Sequence, residues 1–150
     1  MKLKKILRRK KYICIPLKRT ITNHFEVKAT INNVKGRFIL DTGASNSCVD
    51  FKAVSVFNLD ANDSTTKAAG AGAIDMQTQE SHNNNIAIGN WKYNNLHLVL
   101  FDLTHVNMAL TQHKAKPVSG IIGADILQKG KAIIDYKKNR LYLKKLVFLY

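Results

Sequence analysis

An apolar run, Phe38-Ile39-Leu40, passes directly into Asp41-Thr42-Gly43-Ala44-Ser45. Short aliphatic runs that stop at glycine and small polar residues are how buried strands hand over to functional turns. This junction constrains the fold more than any other stretch, because it asks for a strand whose C-terminal end carries an acid. A carboxylate held among apolar neighbours loses hydration unless something satisfies it, so Asp41 is expected to have a perturbed ionisation and to mark a site. Thr42 adds a hydroxyl beside the acid, and Gly43, with no Cβ, lets another backbone come close.

The surrounding sequence supplies partners for that strand. From His24 to Ile31 the chain alternates, with Phe25, Val27, Ala29 and Ile31 on one face and Glu26, Lys28 and Thr30 on the other. Asn32-Asn33 then provides a reversal, since asparagine tolerates positive φ, and the chain returns through Phe38 to Asp41. Tyr12 to Leu17 reads as a first strand, with Pro16 pointing to an edge. Cys48 to Phe51, Ile86 to Ile88 and Leu96 to Phe101 read as further strands, the last two reversing at Gly89-Asn90, with Trp91 and Tyr93 as packing residues. Lys131 to Tyr136 and Leu141 to Leu143 form a closing hairpin around Lys137-Lys138-Asn139-Arg140. Lys52 to Asp63 is open between a helical turn and a loop, and Thr104 to Pro117 between a short helix and an extended loop. With 150 residues and no internal repeat, the chain is expected to be mainly β and to build one core.

The chain carries 24 lysines and arginines against 10 acids, a formal charge of +14. Nine of the cations lie between Lys2 and Arg19, where there is no acid. Residues 1–11 are therefore expected as a mobile basic arm, residues 12–145 as the folded domain and residues 146–150 as an apolar tail. The sharper reading of the arm is an electrostatic contact with nucleic acid or an anionic membrane. Tyr12 to Leu17, broken by Pro16, is too short for a signal-peptide core or a membrane span, which favours a cytoplasmic protein. Cys14 and Cys48, with no secretory segment, are expected as reduced thiols. Neither has metal-ligand company and the five histidines are scattered singly, so no metal site is readable.

Leu40-Asp41-Thr42-Gly43-Ala44-Ser45 resembles the active-site signature of aspartic proteases in its retroviral-type, retropepsin-like form. A second stretch, Ser119-Gly120-Ile121-Ile122-Gly123-Ala124-Asp125-Ile126-Leu127, is similar to the family's hydrophobic-glycine hallmark running into a short helix. The two stand in the family's order about eighty residues apart, and the resemblance spans Tyr12 to Lys144. It implies a closed β-barrel with a glycine-rich flap hairpin and a short helix near the C-terminus. It also implies an aspartic endopeptidase that cuts peptide or protein substrates without a cofactor or metal.

Further implications follow residue by residue. Asp41 would be the catalytic acid, with Thr42, Gly43, Ala44 and Ser45 supporting its loop, and Ile121, Ile122 and Gly123 filling the space beneath. Gly70, Ala71 and Gly72 sit where the flap should be; on their own residues they read equally as a flexible surface turn. The chemistry needs two facing carboxylates, and the chain has one Asp-Thr-Gly, so the resemblance implies a homodimer with Asp41 opposite its own copy. Asp125 as a second acid in the same chain is the weaker reading; before Ile126-Leu127 it fits a helix cap or first-turn residue. Two other classes stay open. One is a retropepsin-like domain that binds peptides without cutting them; the other is a basic β-barrel that binds nucleic acid through its arm. Against the latter, no exposed aromatics interleave with basic residues in the core stretches.

Overall fold

The computed structural model describes residues 2–63, 68–70 and 73–146. Three helices and thirteen strands follow in the order α1 (Leu3–Arg9), β1 (Tyr12–Pro16), β2 (Lys18–Arg19), β3 (Phe25–Ile31), β4 (Val34–Leu40), β5 (Cys48–Asp50), β6 (Asn62–Asp63), β7 (Ala68–Gly70), β8 (Ala73–Met76), β9 (Gln79–Ile88), β10 (Trp91–Phe101), α2 (Thr104–Gln112), β11 (Gly120–Ile122), α3 (Ala124–Lys129), β12 (Ile133–Asp135) and β13 (Arg140–Lys144). The protein is mainly β, as the alternating runs predict.

Six strands close on themselves. The ladder runs β3-β4-β11-β5-β10-β9, and β9 returns to β3 through Thr30↔Ala87 and Ile31↔Ile86, which makes a barrel. Closure removes sheet edges from the centre of the molecule, while β2 and β6 add short flanks. The β3–β4 hairpin turns at Asn32 and Asn33, both in the left-handed region with φ of 50° and 67°. Phe25, Val27, Ala29 and Ile31 are buried as their alternation requires. Glu26, expected on the polar face, is buried as well, and its charge is met by an ion pair with Arg37 of β4.

The main core holds Phe38, Phe57, Leu98, Leu100 and Ile122, each almost fully buried, and continues through Trp91 to Leu141 and Leu143 of β13. A second apolar cluster of Ile39, Val99, Phe101, Leu103, Leu110 and Ile121 covers the outside of β4, β10 and β11 under α2. Thr104 to Pro117 thus resolves into a helix and a short connection, and Lys52 to Asp63 into a 3₁₀ turn at Phe51–Ala53 followed by β6. A separate sheet, β1-β13-β12, places Pro16 on an edge strand.

The N-terminal stretch differs from the expected arm. Leu3–Arg9 is helical, and Leu7 is buried although four of the seven helical residues are charged. One leucine dips inward while long cationic stems stay in water, and Arg8 and Arg9 lie in the last turn, where the helix dipole favours cations. Lys11, at φ 67°, turns the chain into β1, and its carbonyl accepts from Lys145 N. At the other terminus Leu146 packs on the core, whereas the rest of the apolar tail, 147–150, lies outside the described residues. Among the described residues, no helix is long and apolar enough to cross a membrane.

Candidate active site

Strands β4 and β11 run parallel and end side by side, with Ile39 opposite Ile121 and Leu40 opposite Ile122. The two sequence motifs thereby meet in space. Asp41 N donates to Ile122 O at 2.9 Å, and Ala124 N to Ala44 O at 2.7 Å, so the loop after β4 is laced at two points to the start of α3. A Cβ on Gly123 would stand 2.5 Å from Ala44 O, which explains why the second motif carries glycine there. Ile121 and Ile122 are both buried, Ile122 in the main core and Ile121 in the second apolar cluster.

The Asp41 carboxylate accepts from Gly43 N at 2.9 Å through Oδ1, which fixes its orientation from within the turn. Asp41 is nevertheless exposed, and so are Thr42, Gly43 and Ser45, with Ala44 half-buried. The expectation of an acid held in the interior fails for the single chain. Strand β4 delivers its last apolar residue, Leu40, to the core and releases the next residue at the rim. The Thr42 hydroxyl makes no hydrogen bond among the described residues. For the glycine-rich segment, Gly70 ends β7, which pairs with β8; Ala71 and Gly72 lie outside the described residues.

Asp125 stands in the first turn of α3, where a cap or first-turn acid was expected. Its carboxylate accepts from Ser47 N at 3.0 Å, from Ser47 Oγ at 2.7 Å and from Ile126 N at 2.9 Å. Ser47 Oγ in turn accepts from Gly123 N at 2.9 Å. Sequence reasoning missed Ser47, which is almost fully buried and ties the exit of the Asp41 loop to the hydrophobic-glycine motif. The partners are 78 residues apart in the chain, so no local pattern joins them.

Cys48 sits at the same exit, and burial, together with the nearby Asp125, Asp41 and Asp50 carboxylates, pushes its thiol up to about 12. A thiol that keeps its proton is a poor nucleophile.

Beside Asp41 and Thr42 opens a cleft of about 290 Å³ walled by Arg19, Phe25, Ile134 and Tyr136. Arg19 is held there by Asn23 Oδ1, Asn139 Oδ1 and the Tyr136 carbonyl. Its guanidinium also lies over the Phe25 ring at 4.8 Å and the Tyr136 ring at 5.5 Å. Such a fixed cation on an aromatic floor is a ready contact for a carbonyl or carboxylate entering the cleft. Only the closing hairpin's register brings Tyr136 here, which is why Arg19 reads in the sequence as one more charge in a basic block.

The histidines are also less scattered than their spacing suggests. Among the described residues, Glu80, His82 and His97 converge from β9 and β10, with their candidate ligand atoms within 4.8 Å of one another.

An aspartyl protease family model matches residues 27–126. No curated protein matches the chain by sequence. Among solved structures, the chain is similar to a retropepsin-like aspartic protease from Rickettsia conorii, with a TM-score of 0.59 and 22% identity over 89% of this chain and 90% of that one. It is also similar to EIAV protease complexed with the inhibitor HBY-793, at TM-score 0.56 and 19% identity over 87% of this chain and 99% of that one. The retroviral protease-like domain of Ddi1 from Leishmania major gives a TM-score of 0.51 and 19% identity, over 81% and 92% of the two chains. At these identities the likeness is one of fold.

Proposed function

The chain belongs to the aspartyl protease family, and from that premise we propose that it is an endopeptidase whose catalytic pair is Asp41 of two copies. One observation carries the reading: two acids follow the paired strand ends, and only Asp41 has its carboxylate exposed, since Asp125 is bound to Ser47. A second reacting carboxylate then has to come from another copy, and a two-fold axis at the Asp41 turn supplies it. The exposed Thr42 hydroxyl and the Cβ-free Gly43 lie where two such turns would meet.

Two carboxylates about 3 Å apart share one proton, because like charges so close cannot both ionise. The ionised member takes a proton from a water molecule as its oxygen attacks the peptide carbonyl carbon. The protonated member hydrogen-bonds the carbonyl oxygen and stabilises the tetrahedral centre, and a proton passed to the amide nitrogen lets the C–N bond break. Gly43 N holds one Asp41 oxygen, leaving the other to face the water. The substrate is a peptide or protein segment in extended form, lying across the Arg19 cleft, with the β7–β8 hairpin as its cover.

The test is cleavage of a peptide library by the full chain over a range of concentrations, beside sedimentation. Activity per chain is expected to fall on dilution in step with dissociation, and an excess of Asp41→Asn chains to poison wild-type activity through mixed dimers. A monomer with full activity overturns the shared pair.

A further inference from the structure

We propose that Glu80, His82 and His97 form a binding site for a divalent transition-metal ion of the zinc class, on the barrel wall at the root of the β7–β8 hairpin. Two imidazoles and one carboxylate are the donor set that such an ion prefers, with a water molecule left to complete four-coordination. One donor atom from each residue lies within 4.8 Å of the others, and each imidazole already meets one of the two Glu80 oxygens. His97 Nε2 lies 3.0 Å from Glu80 Oε2, and His82 Nε2 lies 3.4 Å from Glu80 Oε1. Ligands at about 2.1 Å from a tetrahedral ion stand roughly 3.4 Å apart.

A bulge makes this convergence. The pairs Leu96↔Asn84 and Leu98↔Ser81 leave His97 alone on β10 opposite both His82 and Asn83 on β9. Asn83 takes up the extra residue at φ 60°, and the two imidazole rings come to 4.5 Å between centroids. Bulges re-aim side chains at the walls of barrels, and here the re-aiming turns both Nε2 atoms toward one carboxylate. The ligands stand on two hydrogen-bonded strands, so little ordering remains to be done on binding. An ion would take the place of the Nε2–H bonds that join the imidazoles to Glu80, each neutral ring keeping its one proton on Nδ1. It would also pin β9 to β10 one residue after β9 begins, close to the point where the chain leaves the β7–β8 hairpin. Nothing in this depends on peptide cleavage.

The experiment is titration of the chelator-stripped full chain with ZnCl2 by calorimetry, with melting temperature followed in parallel. One ion per chain and a melting temperature that rises with Zn2+ are expected. His82→Ala, which removes an exposed side chain, and His97→Ala should each weaken Zn2+ binding by more than about tenfold while melting like wild type in the presence of EDTA. His24→Ala and His113→Ala should leave it unchanged. Cu2+ bound in place of Zn2+ should give a paramagnetic resonance spectrum with two coupled imidazole nitrogens. Failure of the wild type to bind Zn2+ at micromolar concentrations overturns the site. So does affinity that survives His82→Ala, or that falls equally with His24→Ala. Should His97→Ala melt early in EDTA, the His82→Ala titration and the nitrogen count decide the matter.

Discussion

Strands β4 and β11 lie parallel and in register, and each is followed within a few residues by an aspartate, yet the two acids have opposite fates. Asp41 comes directly after its strand, in a turn that spends one carboxylate oxygen on its own Gly43 amide. Asp125 comes after a glycine and a helix start, and it receives three protein donors from Ser47 and Ile126. The first is oriented and exposed; the second is satisfied and holds the loop of the first in place. A shift of two residues relative to a strand end thus separates an acid available for proton transfer from one that serves as a brace.

Substitutions at the two acids test this division. Asp41→Asn keeps the acceptor for Gly43 N but removes the ionisable group, so peptide cleavage should fall by roughly 10²- to 10⁴-fold. Its unfolding free energy should stay within about 0.5 kcal/mol of wild type, as expected for an exposed position. Asp125→Ala should do the reverse, costing about 3 kcal/mol in urea unfolding because buried Ser47 loses a charged partner. A stable, inactive Asp125→Ala protein would exchange the two roles.

Gly123→Ala probes the lacing between the loops. Its Cβ would press on Ala44 O, and separating the loops should cost about 1–3 kcal/mol, with cleavage lost in proportion to loop displacement. A fully stable Gly123→Ala protein would mean that the loops can part freely and that Asp41 is not positioned through β11.

The smallest effect belongs to a third acid, Asp102, which is exposed yet hydrogen-bonded to the Thr104 hydroxyl and, at 2.8 Å, to the Thr104 amide. These bonds hold its carboxyl below the usual carboxylate range. The folded state therefore binds this proton less readily than the unfolded state, so the stabilisation is present above about pH 4 and disappears as pH falls through the lowered pKa. Asp102→Asn should flatten that part of the acid limb of the stability curve by lowering stability slightly at neutral pH while leaving it unchanged below the lowered pKa. An unaltered acid limb would separate hydrogen bonding at a helix start from the bracing assigned to Asp125.

Much of this architecture is legible in the sequence where the signal is local. Alternation gives β3, the Asn32-Asn33 pair gives its turn, and the apolar run gives β4, because each follows from backbone geometry within about ten residues. The family resemblance also places the two motifs together. What escapes is set by register. Ser47 meets Asp125, Arg19 meets Tyr136, and His82 meets His97 only after strands have paired, in the last case through a bulge. The exposure of Asp41 escapes for a related reason: a strand's hydrophobicity reports on the strand, not on the first residue beyond it. In α1, four cations in seven residues outweigh Leu7 in any compositional reading, although that leucine is the buried residue of the helix.

Trp91 opens β10, is almost wholly buried, and donates from its indole nitrogen to Lys144 O at the end of β13, 3.0 Å away. It is the chain's single tryptophan, and it stands where the barrel meets the separate β1-β13-β12 sheet. The molecule thus carries an intrinsic fluorophore at the seam between the barrel and the terminal sheet. Emission from that indole will shift to the red when the terminal sheet lifts away, even while the barrel keeps its circular dichroism, so the order in which the two parts come apart can be recorded without any label.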